Sequence, residues 1–237
     1  MTLATPRLNR LPAGERGITI GDFLVPIAIG ERISERARHL ALIAIGAFLI
    51  ALTSNLQVVL IGQTVTLPGD IRVTLPVSPV PITAQTLAVL LVGGALGFRR
   101  GLMSVGLYLL LGLALPVYAG AASGIDTFAS REAGRWVLGA TGGYLLGFLL
   151  AGGLVGRLAE LGWDRHVGGA VVAMLLGNVL IYLVGVPWLM AATGFDLATG
   201  LAKGVYPFLV GDILKLALAG IIFPVAWWLV GRGDGTR

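Results

Sequence analysis

Cysteine is absent from this chain of 237 residues, and histidine occurs only twice. Without thiols the chain has no disulfide and no thiolate metal site, and His39 and His166 are too few for a histidine-based metal centre. Charged residues are also scarce, at 12%, whereas soluble domains carry about a quarter. So few charges cannot cover a globular surface, and the composition argues against both a soluble enzyme and a disordered chain.

Apolar residues dominate instead, at 56% of the chain with a mean hydropathy of +0.89. A membrane-spanning helix needs about 20 mostly apolar residues, and six stretches are candidates. They are residues 40–61, 82–96, 101–115, 142–158, 167–192 and 207–230. The second and third are short, which suggests that they borrow flanking residues or pack around a cavity. The sequence therefore predicts an all-α polytopic membrane protein, a bundle of six transmembrane helices.

The N-terminal stretch, residues 1–38, differs from the rest because it is rich in arginine. Its apolar run, residues 23–29, contains Pro26 and is too short to span a membrane. We predict a cytoplasmic tail over residues 1–38, partly disordered or interfacial, then a membrane domain over 39–232 and a short cytoplasmic tail over 233–237.

Basic residues are distributed unevenly when the N-terminus is placed in the cytoplasm. Twelve fall on the cytoplasmic side: Arg7, Arg10, Arg16, Arg32, Arg36, Arg38, Arg99, Arg100, Arg157, Arg165, Arg232 and Arg237. Four fall outside: Arg72, Arg131, Arg135 and Lys203. This asymmetry obeys the positive-inside rule, and arginine facing anionic lipid explains the isoelectric point near 10.1 without nucleic acid. A phosphate-binding loop of the Walker type is absent, so the chain is not expected to hydrolyse ATP.

Asp212 and Lys215 lie inside the sixth stretch, where charges are expensive and usually functional. At a spacing of i,i+3 they share one helix face. A self-neutralising ion pair is one reading, but we favour a ligand site, because the carboxylate accepts hydrogen bonds and the ammonium group meets a carbonyl or a carboxylate.

Further polar residues interrupt the other stretches. Asn178 and Tyr182 share a face of the fifth stretch, where an asparagine can also hold neighbouring helices together through a hydrogen bond. Gln85 lies just past Thr83, which could cap the second helix. Tyr118 lies in a long loop of the kind that often forms a lid.

The fourth stretch begins at Thr141, and Gly142 allows backbone to approach a ligand or helix just before Tyr144. With six spans these polar groups gather toward the outer ends of the helices. Such convergence predicts a binding pocket open to the outside.

The first stretch carries a face of small residues, in which Ala47 and Ala51 form a small-xxx-small pattern. Such faces pack closely against a partner helix, although packing within the same bundle is equally compatible with the pattern.

Five runs occur together in one order. They are Ser78-Pro-Val-Pro-Ile-Thr-Ala-Gln-Thr86, Leu113-Ala-Leu-Pro-Val-Tyr-Ala-Gly120, Thr141-Gly-Gly-Tyr-Leu-Leu-Gly-Phe148, Leu176-Gly-Asn-Val-Leu-Ile-Tyr182 with Gly185-Val-Pro-Trp-Leu189, and Pro207-Phe-Leu-Val-Gly-Asp-Ile-Leu-Lys215. Over about residues 40–230 the chain resembles BioY, the biotin-binding substrate-capture (S) subunit of energy-coupling factor (ECF) transporters.

The resemblance implies an S-component bundle in the plasma membrane, with both termini cytoplasmic, that captures biotin from outside. It implies a transmembrane coupling subunit, contacted through Ala47 and Ala51, and two ATP-binding cassette ATPases as partners. Biotin would be the transported ligand, with no cofactor and no nucleic acid. The family's polar pocket corresponds to Gln85, Tyr118, Gly142, Tyr144, Asn178, Asp212 and Lys215.

Three alternatives remain open from the sequence. One is a related subunit for another vitamin, and another is a stand-alone secondary transporter, although no repeated halves are visible. A membrane enzyme is disfavoured because His39 and His166 lie away from Asp212 and Lys215.

Overall fold

The structure, a computed structural model, describes residues 17–24, 34–56, 64–67, 71–74 and 78–233. Its helices are α1 (Gly21–Leu24), α2 (Glu35–Ser54), α3 (Gln85–Ala114), α4 (Gly142–Glu160), α5 (Val167–Thr193), α6 (Leu197–Gly204) and α7 (Tyr206–Gly233). Two antiparallel hairpins join Thr64–Leu67 (β1) to Ile71–Thr74 (β2) and Ala129–Glu132 (β3) to Arg135–Leu138 (β4). Because the strands are only four residues long and the helices make up most of the described chain, the all-α fold class is confirmed.

Five of these helices, α2, α3, α4, α5 and α7, are long and apolar enough to cross a membrane. In α2 the Ser34 hydroxyl accepts a hydrogen bond from the Ala37 N–H, the usual device for starting a helix. That helix ends at Ser54, earlier than the predicted end at residue 61, and residues 57–63 lie outside the described part. The short α6, capped by Asp196, was not predicted.

The 30-residue helix α3 is folded back on itself at Gly97. Gly97 has a φ of +82°, which favours glycine. Gln85 Nε2 donates to the Tyr108 hydroxyl at 2.6 Å, 23 residues further along. A straight helix would separate those two residues by roughly 35 Å, so the two arms must run antiparallel. The part of the chain that the structure describes therefore has six long helical segments, and the two short stretches of the sequence are the arms of one hairpin.

The hairpin and α4 form the centre of the bundle, with α2 against α3, α5 against α4 and α7 against α5. The arms approach so closely that a Cβ on Gly101 would lie 2.9 Å from the Cα of Gly93. Apolar side chains fill the core, while others remain exposed on α7, including Val210 at 72% and Ile213 at 68%. An apolar exterior of this kind is what a helix facing lipid requires.

Part of the predicted tail packs on the Gly97 end of the bundle. The Gly17 N–H donates to the Glu160 carbonyl at 2.8 Å, and Asp22 forms an ion pair with Arg100 at 2.7 Å. Phe23 meets the Trp227 ring edge to face at 6.0 Å. Residues 1–16, 25–33 and 234–237 lie outside the described part. Since α2 begins at Glu35, the last residues assigned to the tail belong to its first turn.

Candidate functional site

A cavity of about 60 Å³ lies at the end of the bundle opposite Gly97. Helix α4 connects the two ends, since Tyr144 near its start lines the cavity and Gly156 near its end packs on Gly97. Loops and the ends of α3, α4 and α7 that lie away from Gly97 form the wall together with the middle of α5. The lining residues are Val80, Pro81, Thr83, Gln85, Thr86, Tyr118, Ala119, Ala122, Thr127, Thr141, Tyr144, Leu145, Phe148, Asn178, Ile181, Tyr182 and Phe208.

Five of the eight predicted ligand residues line this cavity: Gln85, Tyr118, Tyr144, Asn178 and Tyr182. They come from separate parts of the chain, and the folding of α3 back at Gly97 brings Gln85 close to the loop that carries Tyr118. Their convergence is a property of the fold; their part in binding stays a prediction.

Gln85 is held at the start of α3 by contacts on both sides. Its backbone N–H donates to the Thr83 hydroxyl at 3.2 Å, so Thr83 does organise the helix start. Its side-chain amide donates to Tyr108, whose ring packs edge to face on Tyr118 at 5.5 Å. Gln85 is 2% exposed, so this network fixes its amide at the cavity wall.

Tyr118 and Tyr144 present their rings to the cavity while their hydroxyls bond to backbone. The Tyr118 hydroxyl donates to the Leu109 carbonyl at 2.6 Å, and the Tyr144 hydroxyl to the Gly204 carbonyl at 2.8 Å. Burial raises the pKa of Tyr118, in the loop, to about 12, so this phenol stays protonated at neutral pH. Both residues therefore offer aromatic surface, not a free hydroxyl.

Asn178 differs from its neighbours because its amide nitrogen is buried without a partner. The residue is 4% exposed, and among the described residues Nδ2 finds no hydrogen-bond acceptor. A buried unsatisfied donor costs about 1–3 kcal/mol, and one that lines a cavity is available to an acceptor on a ligand. In the described part of the chain, no hydrogen bond from Nδ2 supports the interhelical role considered for this asparagine.

Asp212 and Lys215 form a buried polar cluster behind the cavity wall. The Lys215 ammonium group lies 3.2 Å from Asp212 Oδ1 and 2.5 Å from the Thr86 hydroxyl. The Tyr182 hydroxyl donates to Asp212 Oδ2. Neither charged residue is among those that line the cavity, because Thr86 and Tyr182 lie between the ion pair and the cavity. Their direct contact with a ligand stays a prediction.

Gly142 and the alanine pair both lie in close packing contacts. A Cβ on Gly142 would meet Trp188 at 2.9 Å and Phe128 at 3.1 Å, and Gly142 is not among the residues that line the cavity, so its contact with a ligand stays a prediction. Ala47 is 1% exposed, and Ala51 is partly buried against the core. The pair therefore faces the bundle, which was the second reading of the small-residue pattern, and Ala47 offers no surface to a partner.

Sequence reasoning missed several wall residues, above all Thr86 and Phe208. Thr86 follows Gln85 directly, yet its partner Lys215 is 129 residues away. Phe208 is 7% exposed and lies near the rings of Tyr144 and Tyr182, at 6.3 and 6.5 Å. Its place beside Pro207 in a recognised run was the available signal, but an aromatic in an apolar helix gives no indication of its direction.

Comparison with known proteins places the chain in a family. The sequence model described as "BioY family" matches residues 65–232. The "Probable biotin transporter BioY" of Pyrococcus horikoshii is 38% identical over 64% of this chain and 83% of its own length. The "Biotin transporter BioY2" of Lactococcus lactis subsp. cremoris is 34% identical over 77% of this chain and 86% of its own.

A solved structure is similar over most of the fold. The crystal structure of "the S-component for biotin from an ECF-type ABC transporter" matches with a TM-score of 0.64 and 27% identity, covering 81% of this chain and 93% of that chain. With its apolar helices the protein is a multi-pass membrane protein, and its relatives are transporters. The chain belongs to the BioY family.

Proposed function

We propose that this protein is the biotin-binding S subunit of an ECF-type importer. The observation that carries the proposal is that five residues from four separate BioY-like runs line one cavity, with a buried donor that lacks an acceptor among the described residues, Asn178 Nδ2, in its wall. The names of its relatives and of the similar solved structure supply the ligand.

The chemistry of biotin suits this wall. Its urea ring carries N–H donors and a carbonyl, fused to an apolar thioether ring, and its tail ends in a carboxylate. Asn178 can donate to a carbonyl or carboxylate, while Tyr118, Tyr144 and Phe208 can cover the thioether. Asp212 is the acid best placed to accept urea N–H groups, provided that the Tyr182 hydroxyl moves aside.

The size of the cavity adds a condition to the proposal. About 60 Å³ accommodates a few water molecules but is too little for the whole of biotin. We infer that binding widens the space, and that the loop segment holding Tyr118, Ala119 and Ala122 moves for this purpose because no long helix fixes it. The charged pair would then come within reach of the ligand once Thr86 and Tyr182 shift.

The orientation follows from charge. Around Gly97, the described residues include the arginines Arg36, Arg38, Arg99, Arg100, Arg157 and Arg165, while the cavity end has Arg131, Arg135 and Lys203 balanced by Asp126, Glu132 and Asp196. By the positive-inside rule, this distribution supports an orientation with the Gly97 end in the cytoplasm and the cavity open to the outside of the plasma membrane. Both termini would then be cytoplasmic.

Release of biotin inside needs an energy source that this chain does not encode. The sequence has no Walker-type loop, and the similar solved structure is named as a component of an ABC transporter. We therefore place the chain with a transmembrane coupling subunit and two ATP-binding cassette ATPases, in a role that is not enzymatic.

Equilibrium binding to the detergent-purified chain tests the proposal. Calorimetric titration should give saturable binding of biotin, weaker binding of desthiobiotin, which keeps the urea ring but lacks the sulfur, and none of thiamine. Binding of thiamine or another vitamin without biotin would favour the related subunit. Uptake into vesicles driven by an ion gradient, without any partner protein, would favour the secondary transporter.

A further inference from the structure

A second cavity, of about 750 Å³, lies at the Gly97 end of the bundle, far from the candidate ligand site. It is bounded by the start of α2, by the tip of the α3 hairpin and by the end of α4. Its lining residues are His39, Ile43, Leu96, Phe98, Arg99, Arg100, Met103, Arg157 and Glu160. Nothing in the biotin-binding role uses this cavity.

The arginines of the cavity are only partly compensated. Arg157 pairs with Glu160 at 2.9 Å, and Nη2 of Arg100 pairs with Asp22 at 2.7 Å. Nη1 of Arg100 is buried and has no acceptor among the residues that the structure describes. Arg99 is exposed and makes no ion pair within that part of the chain. A buried guanidinium nitrogen without an acceptor, beside an uncompensated arginine, calls for an anion with several oxygens.

The negative charge of Glu160 is partly offset, because both of its carboxylate oxygens already accept hydrogen bonds. Oε1 accepts the Phe98 N–H at 2.9 Å, where the second arm of α3 begins, and Oε2 accepts from Arg157. The carboxylate thus stabilises the hairpin tip and offsets one guanidinium charge. The charge remaining in the cavity is positive and lies at Arg99.

The rim of the cavity includes exposed apolar side chains. Phe98 is 42% exposed and Met103 55% exposed, and Ile43 completes the apolar side. The cavity also lies at the end of the spans, the level at which lipid headgroups meet protein. Cationic groups next to exposed apolar side chains fit a molecule with an anionic head and acyl chains.

We propose that this cavity binds the phosphate of an anionic phospholipid, with Arg99 and Arg100 as the phosphate contacts and Phe98 and Met103 against the acyl chains. The lipid would join α2, the hairpin tip and α4 at the inner end of the bundle. Inorganic phosphate shares the headgroup chemistry but would gain nothing from the apolar rim. A protein segment seated on the same arginines is the competing occupant.

The test uses the full chain, delipidated in detergent and then given phosphatidylglycerol or phosphatidylcholine, and native mass spectrometry measures the lipid that it retains. Phosphatidylglycerol should be retained in preference to phosphatidylcholine, and R99Q should lower its retention about fivefold, the equivalent of one arginine near an anionic surface. R135Q is the matched control: it removes an exposed arginine from the opposite end, in β4, and should leave retention unchanged. A melting curve and biotin titration of each variant check that the fold is intact.

Three results would overturn the proposal. The first is equal retention of the two lipids by the native chain. The second is displacement of phosphatidylglycerol by millimolar inorganic phosphate, which would make the site one for a free anion. The third is an R99Q variant that keeps the lipid but no longer associates with the coupling subunit, which would assign the cavity to a protein partner. These readouts do not depend on biotin binding, so either proposal can fail alone.

Discussion

The hydroxyl of Tyr182 donates a hydrogen bond to the carboxylate of Asp212, on a different helix, and so ties the cavity wall to the buried ion pair behind it. The same carboxylate holds the Lys215 ammonium group at 3.2 Å, and Lys215 in turn contacts the hydroxyl of Thr86, on α3. Three helices are therefore connected through one charged pair. A ligand that competed for Asp212 would loosen that connection, and binding would then be coupled to movement of the wall.

Replacing Asp212 by alanine should weaken biotin binding strongly. The change leaves Lys215 and the Tyr182 hydroxyl without their acceptor and removes the carboxylate available to urea N–H groups. A loss of roughly 1–3 kcal/mol, about 5- to 150-fold in Kd, is expected by calorimetry. D196A, which removes an exposed carboxylate that caps α6 at the same end, is the control and should bind normally. Normal biotin binding by D212A would contradict the pocket assignment.

Asn178→Leu should separate a ligand contact from a structural one. Leucine has a similar size and removes a buried amide nitrogen that has no acceptor in the described part of the chain. Biotin affinity should fall about tenfold, while the melting temperature without ligand should hold or rise, because no hydrogen bond from Nδ2 is lost.

Gln85→Leu provides the contrast, since it breaks the bond to Tyr108 and should lower both biotin affinity and melting temperature. If N178L melted several degrees lower yet kept its biotin affinity, the asparagine would be holding the helices together instead.

Ala47→Leu should destabilise the bundle, not merely its assembly with partners. Ala47 is 1% exposed, so the added carbons have no space, and overpacking costs about 1–3 kcal/mol. Ala44→Leu, at an exposed position of the same helix, adds the same atoms toward the membrane and should be tolerated. Thermal denaturation in detergent compares the two. An A47L protein that folds and binds biotin normally, but fails to join the coupling subunit, would show that this face contacts the partner.

Much of the architecture was predictable because the membrane imposes a simple rule. Apolar stretches must become helices, and polar residues within them are expensive enough to stand out, which is how Gln85, Asn178 and Tyr182 were found. Their convergence followed from placing them at one end of their helices.

The direction in which each helix face points was harder to predict, because the sequence shows which residues share a face but not what packs on it. Ala47 and Gly142 are small residues of the kind found where two helices pack closely. Only the neighbours in the folded chain, such as Trp188 against Gly142, show whether that packing lies within the bundle or faces a ligand or partner. Lys215 reaches Thr86 across 129 residues, a separation that no local pattern encodes. The docking of Asp22 on Arg100 was missed for the same reason.

Asp164, between α4 and α5, should make stability depend on pH. Burial raises its pKa to about 6, against the lowering effect of the Trp227 indole N–H, which donates to Oδ2 at 2.7 Å. Its ordinary value is 3.8, so the folded protein retains a proton that the unfolded chain has lost between these values. The stabilising contribution is full below about pH 4 and is lost as the pH rises through about 6.

Asp164→Asn keeps an acceptor for Trp227 without the charge, so its melting temperature should lack this fall and exceed that of the native chain at pH 7 to 8. Melting curves from pH 4 to 8 measure the difference. Parallel curves for the two proteins across this range would show that Asp164 titrates normally.

Gly97→Ala should disrupt the hairpin on which the cavity depends. A side chain at a φ of +82° is strained, and its Cβ would lie 2.9 Å from Glu160 Oε1 and 3.0 Å from Thr19 Cγ2. The arms of α3 would then splay, and Gln85 would lose its bond to Tyr108 at the far end. The free energy of unfolding should fall by roughly 1–3 kcal/mol, and the melting temperature and the biotin affinity should fall with it.

Gly106→Ala is the matched control in the same helix, since its Cβ would meet only Leu149 at 3.8 Å. Alanine there should be neutral or stabilise by about 0.5–1 kcal/mol, because glycine is the poorer helix former. Equal melting of the two variants would mean that Gly97 does not set the reversal, and that the two arms are held antiparallel by their packing alone.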